Sequence, residues 1–415
     1  MTAKTPSTPE ITILGGGPVG GALACALAHN TIPVRVVDRY PLSALLEDQG
    51  TDCRAIAISP SSKNLLDALG VWEIAMPHAQ PIFDIQTVHG TTDSTVSFKG
   101  ENKANDPMGY VVPMYLLKKA VCSRLQTFLQ EGLVTWVEGS LQSMEQQGST
   151  MKVSLENDHA FQTSLLIGAD GKNSKVRELS GMECHAWNYG KGAIVCAYEH
   201  SNDHQGIAWE IFMEEGPFAI LPMTGNRSSI VWSVQEDIAG SLKALPDEAF
   251  DAIIMDKMAP YLKNLKRVSP RWMYPIGIQF TEKYVDDNLA LVGDAAHVMH
   301  PLAGQGMNMG FRDVAALVEV LLDQASVGLP FNDLNALEKY QQWRRFDNLS
   351  MLAMTDAFDG VFSNHSKVLS FLRERGVRQV ERSMGLKKLL TDNATGMLGN
   401  LPNLLRNDKQ QGRRI

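Results

Sequence analysis

The sequence predicts an α/β fold in which an antiparallel β-sheet is inserted into a parallel one and a C-terminal helical region follows. Three observations carry this. Gly15, Gly17 and Gly20 set a G-x-G-x-x-G spacing between an apolar run and a run of small residues. Two later apolar runs, at 165–168 and 289–292, end in turns containing Asp170 and Asp294. Between those runs lie short alternating segments punctuated by turn residues, whereas beyond Phe311 the spacing becomes helical.

Taken in order, residues 11–14 read as a short buried strand and 20–30 as a helix of small residues. Pro33 then leads into a second strand, 34–37, that ends at Asp38, completing a βαβ unit. Helical signals return at 61–69 and 115–129. Alternation in 182–283 is clearest for 217–223 and 228–234, a hairpin joined around Gly225-Asn226. Val314, Leu317, Val318 and Leu321 fall at i, i+3, i+4 and i+7, so that helix buries one face. The expected division is a discontinuous nucleotide-binding domain at 10–75, 106–181 and 284–335. An antiparallel-sheet substrate domain takes 76–105 and 182–283, and a helical region takes 336–415.

Composition narrows the function. A chain of 415 residues that is 44% hydrophobic can bury a large core. Its net charge of -8, with both signs interspersed, argues against nucleic acid as partner. The five cysteines, Cys25, Cys53, Cys122, Cys184 and Cys196, include no C-x-x-C pair, which disfavours a disulfide scaffold, a metal centre and a dithiol reductase. Free thiols suit a reducing cytoplasm. Met1 to Glu10 has no apolar run behind Lys4, and nothing approaches the roughly 20 apolar residues of a membrane span. The stretch Met384 to Leu405 is rich in Leu and Met, and Arg406, Lys409, Arg413 and Arg414 follow. It reads either as a peripheral contact with the inner face of an anionic membrane or as a packed helix with a polar tail.

The motifs point to a dinucleotide. In the glycine turn, Gly15 permits the bend, Gly17 lets the backbone approach a pyrophosphate, and Gly20 brings helix against strand; Pro18 opens the helix. Asp38, at the end of the second strand, suits two ribose hydroxyls, with Arg39 beside it. Arg54 reads as a partner for pyrophosphate or for a nicotinamide donor, or as a surface Arg. Asp170 either fixes its turn or serves a nucleotide.

The segment from Gly293 to Gly310 is the most specific. Asp294 is placed to accept ribityl hydroxyls, Pro301 redirects the chain, and Gly304, Gln305 and Gly306 open backbone N–H groups toward a flavin, with Met307 and Asn308 following. The helix beginning there directs its positive end at the flavin edge that becomes anionic on reduction. FAD is therefore the expected cofactor. His297 and His300 lie in the same segment and read more readily as structural than as catalytic. With no second G-x-G-x-x-G, NAD(P)H is expected to visit transiently rather than to own a domain.

These residues resemble the class A flavoprotein monooxygenases, the para-hydroxybenzoate-hydroxylase-like FAD-binding Rossmann fold. Within that class the chain is similar to the ubiquinone-biosynthesis hydroxylases. The likeness extends through 52–58, 109–112, 216–222, 340–344, 394–396 and 401–404, which is nearly the whole chain. It implies an NAD(P)H- and O2-consuming monooxygenase that hydroxylates a polyprenylated phenol, with other biosynthetic proteins as possible partners. The catalytic residue is left unassigned. Pro113 and Met114 stand where the family commonly has a polar pair, which puts one cofactor contact in doubt. Two other readings stay open: a hydroxylase of a soluble aromatic, and a non-catalytic flavin- or lipid-binding subunit.

Overall fold

The computed structural model of the protein describes residues 10–47, 54–89, 95–99, 107–299, 305–362, 395–396 and 400–406. Its centre is a six-stranded sheet ordered Val285–Asp286, Leu289–Leu291, Leu165–Gly168, Ile11–Leu14, Val34–Asp38, Val134–Glu138. All neighbours run parallel except the short Val285–Asp286 edge. Ile11–Leu14 and Leu165–Gly168 are buried along their whole length, as apolar strands covered on both faces must be. Because these strands are parallel and in register, the ends after Leu14, Val37, Gly168 and Leu291 open on one edge of the sheet. Open α/β sheets bind ligands at that edge.

Helix Pro18–His29 packs close against this sheet. Gly20 through Ala28 are all buried, and seven of these nine residues are Gly, Ala or Cys, small enough for a near approach. On the same core lie helices Met114–Gln130 and Gln305–Ser326; from the latter, Val314, Leu317, Val318 and Leu321 are fully buried. The apolar stripe read from the sequence is the buried face.

The second large element is a nine-stranded sheet. The hairpin of Gly216–Met223 and Arg227–Gln235 is antiparallel, as its turn chemistry predicts. One expectation needs correction: the sheet is mixed. Ile207–Met213 pairs parallel with Asp84–His89, because those strands come from separate excursions of the chain rather than from one hairpin. Gln80–Ile82, moreover, pairs with Gly109–Pro113 in a small three-stranded sheet shared with Ala55–Ile58. The large sheet has two unlike faces. Trp209, Ile211, Phe218, Ile220, Ile230 and Trp232 pack against helices Glu236–Ala244 and Asp247–Met258. On the opposite face, Ala208 and Leu221 meet Ile82 and Val111 of the small sheet. No helix among the described residues is long and apolar enough to cross a membrane.

Candidate FAD site

The glycine turn is built by exclusion of side chains. Gly15 has φ +104°, and a Cβ there would lie 2.3 Å from Ala169 O. At Gly20 an added Cβ would lie 2.0 Å from Gly15 O, whereas at Gly17 nothing stands within 4 Å. Two of the glycines thus hold helix and strands together, and Gly17 faces open space. We expect Gly20→Ala to force the turn off the helix, costing about 1–3 kcal/mol of stability and at least tenfold in FAD affinity. Thermal unfolding and flavin titration of the refolded apoprotein measure both effects.

A cleft of ≈ 520 Å³ opens beside this turn, within the range of cofactor sites. Gly15, Gly17, Pro18, Asp38, Arg39, Asp170, Asp294 and Met307 all line it, gathered from positions almost 300 residues apart. Asp38 Oδ2 accepts the Gly16 N–H at 2.7 Å and Oδ1 accepts the Tyr40 N–H at 3.0 Å. Each oxygen keeps a further lone pair for a hydroxyl. Arg39 is exposed beside it. Asp170 is committed to the turn: it accepts from Ser174 Oγ at 2.6 Å and from the N–H groups of Lys175 and Val176 at 2.7 and 3.2 Å. It thereby secures the start of helix Lys175–Ser180 while bordering the cleft.

Asp294 projects into the cleft, open to its volume but crowded by protein behind. Desolvation raises its pKa, against the opposing fields of His297, Arg54 and Lys172. Behind it lies a buried charge network that sequence reasoning missed. Asp313 Oδ2 accepts from the Gly293 N–H at 3.0 Å and from His297 Nε2 at 2.6 Å, while its Oδ1 accepts from Arg344 Nε at 2.8 Å. Burial alone would raise the Asp313 pKa, but the charges and hydrogen bonds of His297 and Arg344 hold it down at about 2. His297 is therefore a structural partner of Asp313. Asp313 had a faint signal in the sequence, a carboxylate next to the apolar stripe of its helix, but its partner Arg344 lies in another helix.

Of the glycine loop, Pro301, Gly304 and His300 lie outside the described residues. Gln305, Gly306, Met307 and Asn308 form the first turn of helix Gln305–Ser326. At Gly306 no atom stands within 4 Å of an added Cβ, and Met307 reaches the cleft. Asn308 serves the protein: its Oδ1 accepts the Ser59 N–H at 2.9 Å, and its Nδ2 donates to Ala57 O at 2.8 Å. That pair ties strand Ala55–Ile58 to the loop. Just before this strand, Arg54 stacks over the Tyr274 ring at 5.1 Å and so bridges to the large sheet. Pro113 ends strand Gly109–Pro113, paired with Ala55, and the Met114 N–H donates to Arg54 O at 2.8 Å.

Two surface features complete the picture. Glu183, His185 and Glu282 have ligand atoms within 4.8 Å, a grouping that sequence spacing did not reveal. It is an exposed His–carboxylate pair with a second acid nearby, and His185 Nε2 meets Glu282 at 2.7 Å. Part of the Met384–Leu405 stretch packs inward. Leu404 and Leu405 are buried, Asn64 Nδ2 donates to Leu405 O at 3.1 Å, and the Asn403 N–H donates to Glu319 at 2.6 Å. Lys409, Arg413 and Arg414 lie outside the described residues.

A glycine turn opening a helix, with Asp38 and Asp294 on the same cleft, makes a set of groups that fits a dinucleotide such as FAD. The model of the FAD binding domain family matches residues 8–328. Ubiquinone hydroxylase UbiL of Rhodospirillum rubrum is 40% identical, over 96% of this chain and 92% of its own. The 3-demethoxyubiquinol 3-hydroxylase of Escherichia coli is 34% identical, over 94% and 98%. Among solved structures, p-nitrophenol 4-monooxygenase PnpA of Pseudomonas putida shares the fold. It has a TM-score of 0.75 at 15% identity, covering 93% of this chain and 98% of its own. The chain thus belongs to the FAD binding domain family and, within it, to the FAD-dependent hydroxylases of ubiquinone biosynthesis.

Proposed function

We propose that the protein hydroxylates the ring of a polyprenylated phenol on the route to ubiquinone, taking electrons from NAD(P)H and oxygen from O2. The observation that carries this is the end-to-end likeness to a ubiquinone hydroxylase, 40% over 96% of the chain, which includes the substrate-facing sheet as well as the cofactor domain. Bound FAD supplies the redox chemistry, passing two electrons from the nicotinamide to oxygen. Gly15, Gly17, Gly20 and Asp38 hold the adenosine and pyrophosphate end. Asp294, Gln305 and Gly306 would hold the ribityl and ring end, and the N-terminal end of helix Gln305–Ser326 favours negative charge there. The face of the large sheet turned away from its helices would help to exclude water from the ring, which protects the oxygen transfer from wasteful peroxide release. A substrate phenol pushes electron density into its own ring, so no protein nucleophile is required.

Quinone lipids extracted from cells lacking the protein test the reading. A prenylated intermediate missing one hydroxyl should accumulate, and its mass spectrum identifies the blocked position. Unchanged ubiquinone, in a strain without a paralogue, would overturn it. A peripheral membrane contact belongs to the same proposal, because a polyprenyl chain resides in lipid. Cosedimentation with anionic vesicles, with and without residues 407–415, tests that part, and equal sedimentation of both would remove those residues from the contact.

A further inference from the structure

The chain leaves the cofactor domain after helix Lys175–Ser180 and returns to it at strand Val285–Asp286, which joins the central sheet. The outbound limb is the start of strand Cys184–Glu199, and the inbound limb is the end of strand Trp272–Thr281. The limbs pair antiparallel, with Cys184 opposite Thr281 and His185 opposite Phe280. Just beyond, the Glu282 N–H donates to Glu183 O at 2.9 Å, so Glu183 faces Glu282 across the ladder. Side chains alternate along each strand. Glu183, His185, Trp187, Phe280 and Glu282 therefore share one face, while Cys184 and Thr281 point to the other.

Three donors meet at this crossing. Carboxylate oxygens of Glu183 and Glu282 and a ring nitrogen of His185 lie within 4.8 Å of one another, the sole such grouping among the described residues. Around Zn2+ at about 2.0–2.2 Å, neighbouring ligand atoms stand roughly 3.4 Å apart. Rotation of the carboxylates closes that gap, and Glu282, 48% exposed, has room to turn. The imidazole is held from behind: Phe280 lies at 5.2 Å and Trp187 at 6.1 Å, and those two rings stack on each other at 5.9 Å. This aromatic row keeps Nε2 directed at Glu282, 2.7 Å away. A donor already oriented loses little freedom on binding. Two carboxylates directly opposite in a ladder repel each other, and a divalent cation between them turns that repulsion into attraction. One imidazole with two carboxylates suits first-row transition cations better than Ca2+ or Mg2+, which take oxygen ligands. The set contains no thiolate, so cysteine spacing carries no signal of it.

We propose that Glu183, His185 and Glu282 bind one divalent transition cation, of which Zn2+ is the type, and that the ion ties the outbound limb of the crossing to the inbound one. Three protein donors leave at least one coordination position for water. None of the three residues lines the cleft that takes FAD, so the ion acts on the connection between the two sheets and not on the cofactor. Bound there, it restrains how the large sheet moves against the central one. The inference stands apart from the hydroxylase reading, because it uses neither flavin nor substrate.

The test titrates the FAD-loaded protein with Co2+, followed by visible absorption, and with Zn2+, followed by calorimetry and the thermal midpoint. Wild type should bind one equivalent of Co2+ that Zn2+ displaces. The spectrum should lack sulfur-to-metal charge transfer, because Cys184 faces away from the site. His185→Ala and Glu282→Gln should each weaken Zn2+ binding by at least the roughly 10–100-fold that loss of a group behind a ligand costs. Each should also lose the rise in midpoint that Zn2+ gives wild type. Both positions are exposed, so flavin content and the metal-free midpoint should match wild type. His159→Ala, at an exposed histidine outside the cluster, should bind Zn2+ as wild type does. No saturable binding by wild type, a sulfur charge-transfer band, or unchanged Zn2+ affinity in both cluster variants overturns the site. Displacement of Co2+ by an equal concentration of Ca2+ or Mg2+ overturns the choice of cation.

Discussion

Asp313→Ala is expected to destabilise the protein by about 3 kcal/mol, because it removes the fully buried counter-charge of Arg344 and leaves it only the exposed Asp347. Asp313 and Arg344 are 0% and 2% exposed, so water does not substitute for the missing carboxylate. The same change frees the Gly293 N–H and the His297 ring, loosening the turn that presents Asp294. Stability and flavin affinity should therefore fall together. Urea unfolding of the apoprotein isolates the first effect, and flavin titration the second. Pairing the change with Arg344→Met should recover part of the stability, since part of the cost comes from a buried charge left with one exposed partner, but not the flavin affinity, which depends on the Gly293 N–H. Acid unfolding gives the sign check. Asp313 has a folded pKa of about 2 against an ordinary 3.8, so its contribution is complete above about pH 4 and is lost as pH falls through 2. The variant should lack that part of the acid slope.

Asp294→Ala is expected to yield FAD-depleted protein that is otherwise folded. Asp294 ends the strand run that carries Leu289–Leu291 and borders the cleft, yet among the described residues its carboxylate forms no hydrogen bond. Removing it leaves the core intact. Two hydrogen bonds from ribityl hydroxyls to a carboxylate are worth about 1.5–3 kcal/mol each, so affinity should drop by a factor on the order of 10²–10⁴. The ratio of flavin to protein absorbance after purification measures the loss, and circular dichroism confirms the fold. Wild-type flavin content in this variant would remove Asp294 from the site.

The contrast between these two aspartates shows what the sequence makes legible. Asp294 could be read because it belongs to a local pattern, strand, Gly-Asp turn and glycine loop, in which spacing alone implies position. Asp38 and the glycine turn were legible for the same reason. Asp313 and Arg344 were not. The role of Asp313 depends on Arg344, in a helix that starts 21 residues further on. Asn308 shows the converse error. Its place in the flavin loop suggested a cofactor contact, whereas its amide is occupied by strand Ala55–Ile58. The sheet of the second unit was readable as hairpins but not in its parallel pair, since nothing local records that Asp84–His89 will lie beside a strand more than 100 residues later.

The order of the central sheet also constrains how the protein comes into being. Ile11–Leu14 has Leu165–Gly168 on one side, and Leu289–Leu291 lies beyond that. Synthesis proceeds at roughly 5–20 residues per second, so the glycine turn leaves the ribosome long before the strand that ends at Asp294. Until then a nascent chain can hold at most the adenosine half of its ligand. Such long-range parallel pairing is slow to form and exposes unpaired strand edges while it waits. The complete cofactor site is therefore expected to form late, only once the strand that ends at Asp294 has joined the sheet beside Leu165–Gly168.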